Sequence, residues 1–477
     1  MQDAAHSTLL RNTRQLLHAQ IGETLEAHAP ELIDSQPELF ARHYAEAGMI
    51  EKSVACWGTA GRRSVARSAM AEAAAQFQRA LDQLELLPDS PERHRQGLEI
   101  WSALGAVLTV VRGFAAPETG HAHARARELW DQLGSPSEFL QVPYGQSRYH
   151  AHRGEFDLAL RLDEDLLRLS RQRNDSGGLV IGHLSSGRNR MLAGRFASSR
   201  SHLEEVLALH DPISACSLVD YAGDAPHVNS QALLGIVLFC LGYPDQALVQ
   251  SSAAIAEAQR LAHPRSLALS LSNGAVVLSL AGNNEVLGEW VEQLLAIATE
   301  QGFPHWGAQG TIYRGWVKVK NGDAAEGVPL LRSGSIAYAA TGAEAGLDGI
   351  ALLARACELG GQIKEAVNQL DNALQIVERT GERWYAAELE RYKGQLLLRQ
   401  GQPEAAEELY RKALSIAEEQ AAKLWELRAV MSLARLCRDQ GRHAEARDLL
   451  KPVYGWFSEG FNTPDLKEAQ ALLGELA

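Results

Sequence analysis

The sequence predicts an all-α protein built as a solenoid of stacked helix hairpins, a right-handed superhelix of about nine to eleven helix pairs. Three observations carry this expectation: a helix-favouring composition, a scarcity of strand-like runs, and a turn signal that recurs along the chain. A chain of 477 residues exceeds the usual single core and suits an array in which each unit packs on its neighbours. Ala, Leu, Glu, Gln and Arg dominate, aromatic residues are only 6%, and stretches rich in Val, Ile and Thr are rare.

The turn signal is a glycine followed five residues later by a small or apolar residue. It occurs as Gly154 with Ala159, Gly194 with Ser199, Gly242 with Ala247, Gly282 with Leu287, Gly322 with Gly327, Gly361 with Ala366, Gly401 with Ala406 and Gly441 with Ala446. The spacing is about 40 residues, the period of helix-hairpin repeats. It stretches once, between Gly194 and Gly242, and the excess falls in 211–227, which reads as a loop insertion. Glycine suits the first residue past a helix because that position wants positive φ, and the small residue lets the second helix approach the first closely.

In the copy 394–414, Gly394 is the small residue of the first helix and Gly401 the turn. Ala406 is the close contact of the second helix, Tyr410 its aromatic knob, and Ala413 with Leu414 the exit. This pattern resembles the tetratricopeptide repeat (TPR), in a longer-helix variant, over most of residues 140–450. The expected organisation is 1–130 as irregular helical pairs, 131–450 as regular repeats, and 451–477 as a helix that caps the array or supplies a dimer contact. Within the first part, Gly48 to Ala60 and Ala71 to Leu81 read as second helices with Trp57 and Phe77 as knobs, and Leu87 to Glu92 as a break before a Pro-Glu helix start.

Several stretches extend the likeness: His43-Tyr44-Ala45-Glu46-Ala47-Gly48, Gly113-Phe114-Ala115-Ala116-Pro117-Glu118, Leu241-Gly242-Tyr243-Pro244-Asp245-Gln246-Ala247, Tyr313-Arg314-Gly315-Trp316, Glu378-Arg379-Thr380-Gly381-Glu382-Arg383 and Pro452-Val453-Tyr454-Gly455-Trp456-Phe457. With them the chain resembles the C-terminal helical region of bacterial multidomain proteins of the adenylate/guanylate cyclase and STAND-type predicted-ATPase kind. The segment from Gln2 to Arg11 is similar to the tail of the winged-helix linker that follows the ATPase module. In that family the catalytic domains precede the repeats. No GxxxxGK[ST] occurs here, so no family catalytic residue carries over, and the resemblance implies a regulatory or interaction region.

The formal net charge of −13 argues against a nucleic-acid carrier. Cys56, Cys216, Cys240, Cys357 and Cys437 show no metal or disulfide spacing and read as small buried hydrophobes in a reducing compartment. With no apolar run of membrane-spanning length and no leader pattern, a cytoplasmic location is expected. His121 with His123 and His150 with His152 stand at i,i+2, which points helical side chains apart, so they read as surface or interhelical polar groups rather than a metal pair. Gly177, Gly178, Gly182 and Gly187 follow no strand, which dinucleotide binding requires, and read as an interhelical loop. No cofactor, no metal and no catalysis are expected.

The repeat register also names a groove. In this fold the residue just after the small residue of the first helix, and the one a turn before it, face the concave side. The first set is Arg148, Arg188, Trp316, Arg355, Gln395 and Arg435; the second includes Tyr144, Ile312, Arg391 and Met431. Arginines on successive repeats roughly 10 Å apart would form a ladder for carboxylates or phosphates. Equally, they pair with neighbouring Glu and Asp, and Trp316 packs in the core. The function this supports is a scaffold binding a peptide or partner domain, while the family resemblance implies a sensor whose effector controls an ATPase or cyclase. A small-molecule effector and a homodimer stay open; nucleic acid and membrane do not.

Overall fold

A computed structural model describes residues 11–67, 69–139, 141–210, 218–219, 223–343 and 346–476. Among these, every regular element is a helix, and the architecture is that of a TPR-like solenoid. The chain divides into two compact units, 1–146 and 147–477.

Local chemistry sets the helix ends. Pro opens the helices Pro91–Val111, Pro244–Arg260 and Pro403–Glu419, where a missing N–H costs nothing. Ser90 caps the first of these by accepting from the Arg93 N–H at 3.1 Å. At the other end, all eight glycines of the turn signal have positive φ, from 72° at Gly282 to 95° at Gly242. The residues five positions later are buried at Ala159, Ser199, Ala247, Leu287, Ala366, Ala406 and Ala446, and Gly327 is buried likewise. Hairpin packing follows a rule of sixteen: the small residue of the first helix meets the residue sixteen positions on. Gly187 meets Leu203, Gly315 meets Leu331 and Gly394 meets Tyr410; Ser147 meets Asp163 through a 2.6 Å hydrogen bond.

The same rule corrects the reading of the first unit. Gly61 meets Phe77, so Ile50–Ala66 is a first helix and Met70–Leu84 its second; Phe77 is a knob, whereas Trp57 lies on the helix it would have packed against. The glycines 177, 178, 182 and 187 are a second correction. They lie inside the helix Ser176–Leu192, capped by Asp175. A Cβ on Gly182 or Gly187 would stand within 2.8 Å of Leu167 or 2.6 Å of Leu203, so these positions are spent on helix approach.

In the second unit the coil closes on itself. The turns at Gly154, Gly194, Gly242 and Gly282 are covered by Thr380, Gln420, Trp456 with Phe457, and Pro464 respectively. Those partners lie more than one hundred and eighty residues further along the chain, so one turn of the coil takes between four and six hairpins. The backbone joins in: the N–H groups of Arg383 and Trp384 donate to the Leu192 carbonyl at 2.8 and 3.1 Å. At the end, Glu459 accepts from the Asp245 and Gln246 N–H groups at 3.0 and 3.1 Å, capping the helix Pro244–Arg260 from across the seam, while the Gly460 N–H donates to Asp245 at 3.0 Å. The helix Pro464–Glu475 lays Leu466, Ala469 and Leu472 on Leu427, Val430 and Met431 of the last hairpin.

Most of the insertion 211–227, Cys216 and the segment from Gln2 to Leu10 lie outside the described residues; Pro226 already begins the helix Pro226–Leu241. The remaining four cysteines are buried thiols. No described helix is long and apolar enough to cross a membrane.

Candidate functional site

Closure of the coil rings a cavity of about 380 Å³ with the first helices of successive hairpins. Residues from Pro264–Ala281, Pro304–Lys320, Leu347–Leu359, Ala386–Arg399 and Lys423–Asp439 line it, and Pro464, Asp465 and Glu468 complete the wall. The ring shuts where the Arg428 Nη2 donates to the Leu280 carbonyl at 2.8 Å.

Trp316, Arg355, Arg391, Gln395 and Arg435 come together in this cavity, with Met431 beside them. Trp316 is at the same time a buried member of the hydrophobic core, and Arg391 and Arg435 are paired with Glu388 and Glu468. The other four go elsewhere. Ile312 packs between helices, close to Gly334 and Gly349. Tyr144 is buried in the first unit. Arg148 is buried with Asp224, its Nη1 donating to Oδ2 at 3.3 Å, and Asp224 also accepts from Asn229 at 2.9 Å. Burial would raise the Asp224 carboxyl, yet Arg148 and Arg265 outweigh it and hold it below the usual range. Arg188 is buried in that neighbourhood, where its charge reaches both Asp163 and Asp224. Nearby His305 is pushed down to about 3 by burial and by Arg148, so it is neutral at ordinary pH.

The cavity's own electrostatics centre on Glu388, which is fully buried. Arg391 grips it through Nε at 2.7 Å and Nη2 at 3.0 Å, and Arg428 adds Nη1 at 3.2 Å. Burial alone would raise its carboxyl; the guanidinium groups of Arg391 and Arg428 win and hold it at about 2. Arg428 also makes a two-pronged pair with Asp465, both contacts at 2.8 Å, and Arg435 reaches Glu468 at 2.8 Å.

Arg355 differs from these arginines. Its guanidinium lies 5.2 Å from the Trp316 ring centre and 4.9 Å from that of Tyr392, and among the described residues it makes no hydrogen bond or ion pair. Lys320 sits 5.8 Å from the same indole. The Trp316 N–H is closed off from solvent and has no acceptor among the described residues, a loss of about 1–3 kcal/mol for a polar group left unmatched. Sequence reasoning missed Lys320, Tyr392 and Arg428. Extending the lining stripe one further turn in each direction along the helix reaches Lys320, four residues past Trp316, and Arg428, seven before Arg435.

A second cleft of about 680 Å³ lies on the seam of the coil, between 156–198 and 378–421. Among the described residues no three His, Cys, Asp or Glu side chains converge as a metal site would require.

Fold and cavity together define a TPR-type helical-repeat protein. Residues 349–419 and 385–455 match the tetratricopeptide repeat family, so this part of the chain consists of such repeats. The chain is 26% identical over 443 residues to an uncharacterized protein of Rhizobium meliloti (strain 1021), covering 91% of this chain and 43% of that protein. It therefore spans less than half the length of that relative. Among solved structures it is similar to a Rap protein complexed with competence and sporulation factor, with a TM-score of 0.55 and 14% identity over 78% of this chain and 99% of that one. The likeness to the APC/C hetero-tetramer Cut9–Hcn1 is weaker, at a TM-score of 0.44 and 12% identity over 96% of this chain and 92% of that one. At 14% identity the likeness to the Rap protein is one of fold.

Proposed function

We propose that this chain is a non-catalytic binding module that takes a peptide, a partner segment or an effector on the concave face of its coil. The carrying observation is the convergence of Trp316, Arg355, Arg391, Gln395 and Arg435 on one ringed cavity. A ring closed by Arg428 and Leu280 favours a chain segment or a small effector over a folded domain. The Rap protein of similar fold is complexed with a factor, which is in keeping with this reading.

A second reading makes the chain the signal-sensing region of a longer cyclase- or ATPase-type protein. Two observations favour it: the relative is more than twice as long as the matched region, and the cleft on the seam is placed so that an occupant would alter the fit of one coil turn on the next.

The test is selection of a displayed random-peptide library on the immobilised chain, beside the cavity variant Arg435→Glu and the outer-face variant Ile336→Asp; Ile336 is 72% exposed. Peptides retained by Ile336→Asp and lost by Arg435→Glu support the concave face. Peptides kept by Arg435→Glu move binding elsewhere, and no enrichment at all rules out a peptide and leaves the effector reading.

A further inference from the structure

The charges in and against the ringed cavity do not balance. Lys320, Arg355, Arg391, Arg428 and Arg435 are cationic, while Glu388, Asp465 and Glu468 are anionic, so five cations meet three carboxylates and two positive charges remain. The surplus has an address. Arg391 and Arg428 share Glu388 and Asp465, and Arg435 holds Glu468. Arg355 acts on Glu388 only through space, and it and Lys320 are left beside one indole ring with no close ion pair among the described residues.

The Arg355 surroundings also dictate how a ligand would approach. Trp316 and Tyr392 lie against the guanidinium, 5.2 and 4.9 Å from it, and stacking on rings leaves the N–H edges as its usable donors. An edge of parallel N–H groups fits two oxygens of one carboxylate or phosphate. Arg355 and the neighbouring Lys320 are donors and neither is an acceptor, so this corner selects for oxyanions and against cations or neutral donors. A volume of about 380 Å³ is at the small end of ligand cavities, which run from about 300 to 1,000 Å³.

From this we infer that the Trp316–Arg355–Lys320 corner binds a small organic dianion, a dicarboxylate or a phosphate ester, as the effector of the module. Arg355 takes the oxyanion edge-on, Lys320 supplies the second charge from the exposed side, and the stacked rings hold the guanidinium in place. This deepens the concave-face reading and rests on it.

The experiment uses the full chain labelled with 5-fluorotryptophan, whose nine tryptophans give separate fluorine resonances; Trp316→Phe identifies the one at the site. Inorganic phosphate and succinate are titrated separately at constant ionic strength, with chloride as the balancing salt. The expected result is a saturable shift of the Trp316 resonance with at least one of the two. Half-saturation should move up by about 10-fold or more in Arg355→Gln and by a smaller factor in Lys320→Gln, an exposed change that leaves folding intact, with none in the distant Arg447→Gln. Whichever of phosphate and succinate saturates at lower concentration identifies the head group. The inference is overturned if neither anion moves the resonance, or if Arg355→Gln and Lys320→Gln both titrate like the parent. Peptide selection that still depends on Arg435 would then show that the concave face binds, and that only the anion site is lost.

Discussion

Eight turns of the second unit carry the same glycine signal, yet they fall into two groups. Gly154, Gly194, Gly242 and Gly282 lie under a later part of the coil, so close that an added Cβ would meet Thr380 at 2.3 Å or Gln420 at 2.4 Å. Gly322, Gly361, Gly401 and Gly441 have no described atom within 4 Å of such a Cβ. Both groups need glycine for its positive φ. Only the first needs it for lack of a side chain. One residue type at one register position therefore serves backbone conformation everywhere and coil closure in half the repeats.

The sharpest way to break this distinction is to cut the seam where it meets the cavity. Arg428→Met removes the hydrogen bond to Leu280 and leaves Glu388 and Asp465 short of a partner, and should cost about 3 kcal/mol. Urea unfolding of the two proteins checks it. Next comes a matched pair of turns: Gly401→Ala should cost about 1 kcal/mol for φ alone, and Gly154→Ala about 2–3 kcal/mol because Thr380 must also move. Equal losses in thermal denaturation would show that the seam yields freely at that point.

A gentler probe is pH. Glu382, in the turn that covers Gly154, accepts from the Trp384 indole at 3.0 Å. Burial, reinforced by Asp348, pushes its carboxyl up to about 8. The unfolded chain gives up this proton near the ordinary carboxylate range and the folded chain only near 8. The folded state thus holds the extra proton between those values, and stability falls as pH rises through that window. The Tm should drop by roughly 3 °C between pH 6 and 9 from this group, and Glu382→Gln should flatten the slope. The smallest effect expected is that of Glu459→Ala, which uncaps the helix Pro244–Arg260 from outside at about 0.5 kcal/mol; hydrogen exchange at Asp245 and Gln246 should quicken while global unfolding barely moves.

The hairpins were legible because their determinants are local. Gly401, Ala406 and Tyr410 act within one pair of helices, and a period exposes them. Closure was not legible, since nothing near Gly194 announces Gln420. The groove divides along the same line. Trp316, Arg355, Arg391, Gln395 and Arg435 line one cavity because helices in a regular array present equivalent positions to the same side. Arg148 was drawn into the interior by Asp224, which stands within the expected insertion and outside any period. Ile312 obeyed Gly334 and Gly349, glycines that bring neighbouring backbones close and leave it in the space between them.

The hydrogen bonds of Glu459, which reach residues 213 and 214 positions away in sequence, bear on how the chain acquires its structure. An open row of repeats can nucleate anywhere and zip outward, each hairpin gaining from its neighbour alone. Here the N-terminal hairpins of the unit gain part of their stability from segments synthesised some two hundred residues later. Folding should accordingly slow, as it does when contacts span long stretches of chain, and the unit should melt as one cooperative body rather than fray from its ends.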